Sequence, residues 1–314
     1  MQSERWREHR WFNAAQSLLL LLAMASLAAA LGTIVAGAAG AVWALALSAV
    51  LVILNARLAP RLVLRLYRAE PMPEGRAGML HEVVERLAER AGLPAPPVLY
   101  RVPSSMVNAF AVGSRQGSAI ALTDATLRTL TPRELTGVLA HEMSHIRHND
   151  LWVMGLADLF TRVTHAFSTF GQLLLVLNLP LILLSDYQIS WTAIAILIFA
   201  PLVSLLIQLA LSRTREYEAD MGAVELSGDP EGLASALQKM EQFHANYLEQ
   251  IVTPGRRVPD PSLLRTHPGT EERVRRLLES GASDRSPVPG ARVPPEFAAR
   301  HDRPPRWYPM GIWR

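Results

Sequence analysis

Two histidines four residues apart, with a glutamate beside the first, have the makings of a metal-activated hydrolase. His141-Glu142-Met143-Ser144-His145 has that form. On a helix, residues i and i+4 lie about 5–6 Å apart at Cβ, close enough for both imidazoles to share one zinc ion at about 2.0–2.1 Å each. Glu142 starts near the same face, and its carboxylate can reach a water on that zinc. Zinc lowers the pKa of such a water toward about 7, and Glu142 can take the proton. The plainer alternative makes His141 and His145 ordinary polar residues on a helix, which leaves the glutamate and a third ligand without purpose. His81-Glu82-Val83-Val84-Glu85 shows the contrast. It opens in the same way, lacks the second histidine, and reads as a solvated helix face.

Zinc needs a third protein ligand and a water. His148 shares the face but lies seven residues beyond His141, about 10.5 Å along the axis, too far for one ion. Glu216, in Ser212-Arg-Thr-Arg-Glu-Tyr-Glu-Ala-Asp220, is the better candidate. Asp220 follows it at i+4, so Glu216 can bind metal while Asp220 orients a ligand histidine from behind. Read without the HExxH, both would be exposed carboxylates beside Arg213 and Arg215. Glu218 points to another face and is expected in solvent.

The elements that must hold these residues are legible nearby. Thr131-Pro-Arg-Glu134 is a helix start, with Thr131 as N-cap, Pro132 at N1 and Glu134 completing a capping box. The helix continues through Leu135, Val138, Leu139, His141 and His145. Gly75–Ala91 is an amphipathic helix with Leu80, Val83, Val84 and Leu87 on one face. Val98–Val102, Ala109–Val112 and Ile120–Leu122 are strand candidates, the last two a hairpin around residues 113–118. Asp229-Pro230 starts a helix to about Gln250, and Thr270 one to about Ser280. Residues 281–314 are rich in Pro and Arg and read as a tail, tethered by Trp307, Tyr308 and Trp313 or else a loose end.

Much of the remainder suits lipid better than water. Half of the 314 residues are hydrophobic, 19% are charged and cysteine is absent. The mean hydropathy is +0.16. These values exclude a disordered chain, a disulfide scaffold and a thiolate zinc finger. No charged residue or histidine lies between Arg10 and Arg57, room for two spans at about 14–35 and 39–56 with a turn near Gly37–Gly40. No short apolar region ends in a cleavage site, against a secretory signal. A second pair falls at about 166–185 and 191–211, interrupted by Pro180 and Pro201, as membrane helices allow. A buried hairpin of a soluble protein is its alternative.

The net charge is +3, and Lys239 is the only lysine. No basic stripe with interleaved aromatics suggests nucleic acid. The arginines instead flank the spans: Arg5, Arg7 and Arg10; Arg57, Arg61, Arg65 and Arg68; Arg147 and Arg162; Arg213 and Arg215. Positive-inside then puts both termini and both polar regions in the cytoplasm.

Asn108-Ala-Phe-Ala111, the HExxH, Glu216-Tyr-Glu-Ala-Asp220 and His267-Pro268, in that order and with a hydrophobic hairpin between the metal motifs, resemble the HtpX-type membrane zinc metallopeptidases, relatives of the CAAX prenyl proteases. The resemblance covers about residues 10–280. It implies a mainly α integral membrane protein: four transmembrane helices plus a cytoplasmic zincin-like α+β metallopeptidase domain with a small β-hairpin or sheet. The expected division is a transmembrane hairpin at 11–56, metallopeptidase parts at 66–165 and 212–280, a second transmembrane hairpin at 166–211, and the tail at 281–314. One Zn2+ per chain would be held by His141, His145 and Glu216, with Glu142 as base and Asp220 behind. Asn108, Ala109, Phe110 and Ala111 would contact an extended substrate, and His267 the oxyanion.

The implied activity is hydrolysis of misfolded or damaged membrane proteins at the cytoplasmic face of the inner membrane. The implied partners are polypeptides and the lipid bilayer, not nucleic acid. A CAAX prenyl protease would use the same catalytic residues but typically has more spans. A non-enzymatic membrane scaffold or transporter with an incidental metal site is the alternative of another class, and the scarcity of charge within the spans speaks against an ion path.

Overall fold

The computed structural model describes residues 2–184, 190–252, 270–279 and 286–290. His267, Pro268, Trp307, Tyr308 and Trp313 lie outside the described residues. In chain order the elements are α1 (Gln2–Leu66), β1 (Glu70–Pro71), α2 (Glu74–Ala91), β2 (Val98–Val102), β3 (Ala109–Ser114), β4 (Gly117–Thr123), α3 (Asp124–Thr129), α4 (Pro132–His148), α5 (Asp150–Leu184), α6 (Trp191–Ser227), α7 (Pro230–Val252) and α8 (Thr270–Glu279). They divide into two units: Met1–Arg57 with Trp152–Thr214, and Leu58–Leu151 with Arg215–Arg314.

The first unit is helical and apolar outside. α1 is not one rod: Ala36 and Gly37 leave helical geometry, Gly37 with φ of +62°. The chain folds back there. A Cβ on Gly32 would sit 2.4 Å from the Gly40 carbonyl oxygen, and one on Gly40 only 2.0 Å from that of Gly32. Eight residues of continuous helix would separate them by about 12 Å. The turn expected near Gly37–Gly40 is therefore present, and its arms meet where no side chain fits. Met24, Ala28 and Ala44 of these arms share a core with Ala157, Phe160, Val163 and Leu211. Leu19, Val42, Trp43, Leu177, Phe199 and Leu202 are exposed, a large apolar surface that marks a lipid or protein contact. Among the described residues, Ala15–Val50 and Trp191–Ser227 are long and apolar enough to cross a membrane.

The second pair of apolar runs differs from expectation in extent. Both runs are the middles of longer helices, α5 starting at Asp150 and α6 ending at Ser227. Pro180 and Pro201 sit inside them without ending them. Neutral polar side chains join the two. Thr161 bonds Ser204 and Gln208 at 3.2 and 2.9 Å, Ser168 donates to the Leu197 carbonyl, and Gln172 donates to that carbonyl at 2.9 Å.

The second unit is a small mixed sheet packed with helices. Its strand order is β1-β2-β4-β3, with β2 parallel to β4 and the other neighbours antiparallel. The expected β3–β4 hairpin closes through Arg115 and Gln116, and β3 is left as an edge. The core joins Leu80, Val84 and Leu87 of α2, Leu99, Ile120 and Leu122 of the sheet, and Leu135, Leu139 and Met143 of α4. The Pro/Arg-rich tail is not wholly loose. Val288 is buried in that core, its N–H bonds the Ser227 carbonyl at 2.8 Å, and Arg90 holds the Ser286 carbonyl at 3.0 Å.

Candidate metal centre

α4 begins with the expected capping box. Glu134 N–H donates to Thr131 Oγ1 at 3.4 Å, and Thr131 N–H to Glu134 Oε2 at 2.8 Å. Glu134 also accepts from Ser235 at 2.5 Å and Lys239 at 2.8 Å, clasping α7. Leu135, Leu139, Met143 and Ile146 bury one face of α4, which leaves His141 and His145 on another. α4 ends at Asn149, whose φ of +57° reverses the chain. That reversal brings Asp150 back to His145.

α6 reaches α4 because Gly222 leaves room: a Cβ there would lie 2.0 Å from Ser144 Oγ. Glu216 thereby faces the two histidines. His141 Nε2 and His145 Nε2 are 3.1 Å apart, their rings edge-on at 88°. Glu216 Oε2 is 3.5 Å from the first and Oε1 3.8 Å from the second. Ligand atoms from all three residues fall within 4.8 Å of one another. Two donors on one tetrahedral zinc at 2.0–2.1 Å would be about 3.3 Å apart. The donor set and its spacing therefore fit a divalent cation, and two imidazoles with a carboxylate suit zinc well.

Behind the donors lies a buried charged shell. His141 Nδ1 is 3.1 Å from Asp220 Oδ1, in reach though off hydrogen-bond alignment. His145 Nδ1 bonds Asp150 Oδ2 at 2.9 Å. Burial pulls the His141 pKa down, but Asp220 and Glu216 outweigh it and lift it to about 10. At His145 burial again lowers, Asp150 raises, and the net shift is upward. Burial would raise the Asp220 carboxyl, yet Arg273 holds it below the usual range. The pocket thus favours positive charge on its nitrogens, and one divalent cation supplies that charge to both.

Of the residues singled out by sequence, His141, His145, Glu216 and Asp220 come together. Glu142 is partly buried on the same helix. Burial lowers the Arg273 pKa, and Glu142 is among the acids whose charge outweighs that and raises it. Asn108 immediately precedes the edge strand. Its N–H donates to the hydroxyls of Thr123 and Thr126 at 3.0 and 2.8 Å, and its carbonyl accepts from the same two at 3.1 and 2.7 Å. Ala109, Phe110 and Ala111 follow on β3, which packs against α4. Phe110 meets Tyr67, ring centres 5.1 Å apart.

Glu218 departs from expectation. It is not in solvent: its side chain is 11% exposed and pairs with Arg215 at 3.0 Å. Arg215 likewise turns inward, although it counted among the arginines bordering a span. Sequence reasoning missed Asp150, Arg215 and Arg273 as neighbours of the site. Asp150 carried a faint signal, an acid just past the end of the HExxH helix; Arg273 carried none.

The family model for peptidase family M48 matches residues 74–280. The chain belongs to peptidase family M48. It is similar to a Protease HtpX homolog of Paraburkholderia phytofirmans, 34% identical over 87% of this chain and 99% of that one. A Protease HtpX homolog of Burkholderia thailandensis is 32% identical over the same shares. Among solved structures, Ste24p of S. mikatae is similar at 23% identity and a TM-score of 0.47, over 75% of this chain and 57% of that one. As an M48 peptidase the chain is a membrane metallopeptidase, a hydrolase of polypeptides, and its exposed apolar helices are consistent with that.

Proposed function

We propose that this M48 peptidase is a zinc endopeptidase with four membrane spans, which hydrolyses misfolded or damaged membrane proteins at the cytoplasmic face of the inner membrane. One observation carries the chemistry: the donor atoms of His141, His145 and Glu216 converge, each histidine backed by a carboxylate at its far nitrogen. These three residues would hold one Zn2+, which when bound would supply the Lewis acidity that polarises a scissile carbonyl and acidifies a water. Glu142 takes the water's proton and passes it to the leaving amine. Asp220 keeps His141 oriented. The edge of β3, at Ala109 to Ala111, lies along an extended substrate, and Asn108, its backbone held by Thr123 and Thr126, contacts the substrate beside it. His267 contacts the developing oxyanion.

Four spans are supported by the folded-back α1 and by the lengths of α5 and α6. From Ala166 to Leu184 and from Trp191 to Leu211 the helices extend about 29 and 32 Å, near the hydrocarbon thickness of about 30 Å. The arginine distribution supports cytoplasmic polar regions. The parts proposed are the two hairpins at 11–56 and 166–211, and one metallopeptidase domain assembled from 66–165 and 212–280.

Glu142→Gln tests the chemistry. It should keep one zinc per chain and lose roughly 100- to 10,000-fold in peptide cleavage; wild-type cleavage by that variant would refute the mechanism. The absence of cysteine makes topology testable with single cysteines placed at Ala38, Ser190 and Ser286. The first two should react with an impermeant maleimide from outside the cell, the third only after permeabilisation.

A further inference from the structure

Each histidine of the metal centre meets a buried carboxylate, and each carboxylate meets a buried arginine. Arg273 grips both oxygens of Asp220, through Nε at 2.7 Å and Nη2 at 2.6 Å. Its third nitrogen, Nη1, lies 3.1 Å from Glu216 Oε2. Arg215 Nη1 donates to Asp150 Oδ1 at 3.2 Å and to Glu218 at 3.0 Å. Arg273 is 3% exposed and Arg215 7%. Burying a guanidinium is costly, and a leucine or methionine would fill the same space.

We propose that Arg273 and Arg215 are positioning residues of the metal site, which fix Asp220 and Asp150 so that His141 and His145 present Nε2 to the metal. The inference rests on the reading of these histidines and Glu216 as metal ligands. An imidazole has two tautomers, and the partner of one nitrogen decides which lone pair the other offers. A carboxylate at Nδ1 makes Nδ1 the donor and leaves Nε2 as ligand. The carboxylate must itself be held, because its terminal torsion is soft. A planar guanidinium holding both oxygens removes that freedom, which a lysine ammonium cannot do. Arg273 carries more of this role than Arg215, since it grips Asp220 with two nitrogens and also touches Glu216. One guanidinium on α8 therefore governs two of the three ligands.

The test is zinc affinity of the full chain in detergent, by competition with a chromophoric chelator, together with the visible spectrum of the Co2+-loaded protein. His145→Ala is the reference and should abolish tight binding. Arg273→Gln should raise the zinc Kd about 10- to 100-fold and change the Co2+ spectrum, and Arg215→Gln should do the same to a smaller extent. Arg273→Lys should not restore the wild-type value. Asp220→Asn combined with Arg273→Gln removes both charges of the buried Asp220–Arg273 pair together; it should fold by circular dichroism and still bind zinc weakly. Wild-type Kd and Co2+ spectrum in that double variant, with His145→Ala unable to bind, would overturn the positioning role alone. Tight zinc in His145→Ala would instead overturn the ligand assignment, and the inference with it.

Discussion

The two units bury polar groups in different ways. Among the described residues of the unit 1–57 and 152–214, the buried polar side chains are all neutral hydroxyls, Thr161, Thr164, Ser168 and Ser204 among them. Thr161 and Ser204 bond each other, Thr161 also meets a glutamine, and Ser168 donates to a backbone carbonyl. In the unit of residues 58–151 and 215–314, the buried set includes Asp124, Glu134, Asp150, Arg215, Glu216, Asp220 and Arg273. Outside, the pattern inverts: leucines, valines and tryptophans face out of the first unit. The cost of desolvation explains both halves. A hydroxyl can satisfy itself within a helix pair, whereas a buried charge needs several partners and is retained where chemistry uses it. Charge is concentrated where a cation would sit.

The comparison can be broken most severely at the metal centre. Glu216→Ala removes one of three donors and should weaken zinc binding by more than about 100-fold, beyond the loss for a supporting residue; metal content after dialysis against a chelator measures it. The next effect separates the outer surfaces. Leu177 is 65% exposed on the first unit and Met79 53% on the second. Leu177→Arg should cost about 3 kcal/mol of insertion free energy and deplete the carbonate-resistant membrane fraction. Met79→Arg should change stability by less than about 0.5 kcal/mol. Equal behaviour of the two would mean that both surfaces meet the same solvent.

Smaller effects sharpen the contrast inside. Burial alone would raise the Glu134 carboxyl, but Lys239, Ser235 and Thr131 lower it to about 2. Its folded pKa is depressed, so its stabilisation is present above the unfolded pKa of about 4.5. That contribution is lost as the pH falls toward 2. Glu134→Gln should therefore be less stable than wild type by about 1–3 kcal/mol near pH 7. The gap should close toward pH 2 in denaturant titrations. Thr161→Val, which deletes a neutral staple of the first unit, should cost only about 0.6 kcal/mol, read as a small fall in thermal midpoint in detergent.

Periodic and capped features were legible in the sequence. The apolar face of α2, the Thr131–Glu134 box, the β3–β4 hairpin and the fold-back at Gly37 follow from local spacing and backbone preference. The one-turn separation of His141 and His145, and of Glu216 and Asp220, is likewise local. What escaped depends on tertiary placement. α3 and β1 are too short to show a period. The helical start of α5 at Asp150 is hidden because residues 150–165 mix charged and apolar side chains. Arg273 lies 53 residues from its partner Asp220, Arg215 lies 65 from Asp150, and nothing local distinguishes them from solvated arginines. Val288 is a lone valine among prolines, and only the core it enters explains it.

The single lysine has a practical consequence. Its ammonium, 39% exposed, is held by Glu134 across α4 and α7. A lysine-specific endoproteinase therefore has one bond to cut, Lys239–Met240, in the middle of a helix. The cut requires α7 to part from the helix that carries His141 and His145. Appearance of just two fragments over time would thus clock the breathing of that helix pair, with no label added to the chain.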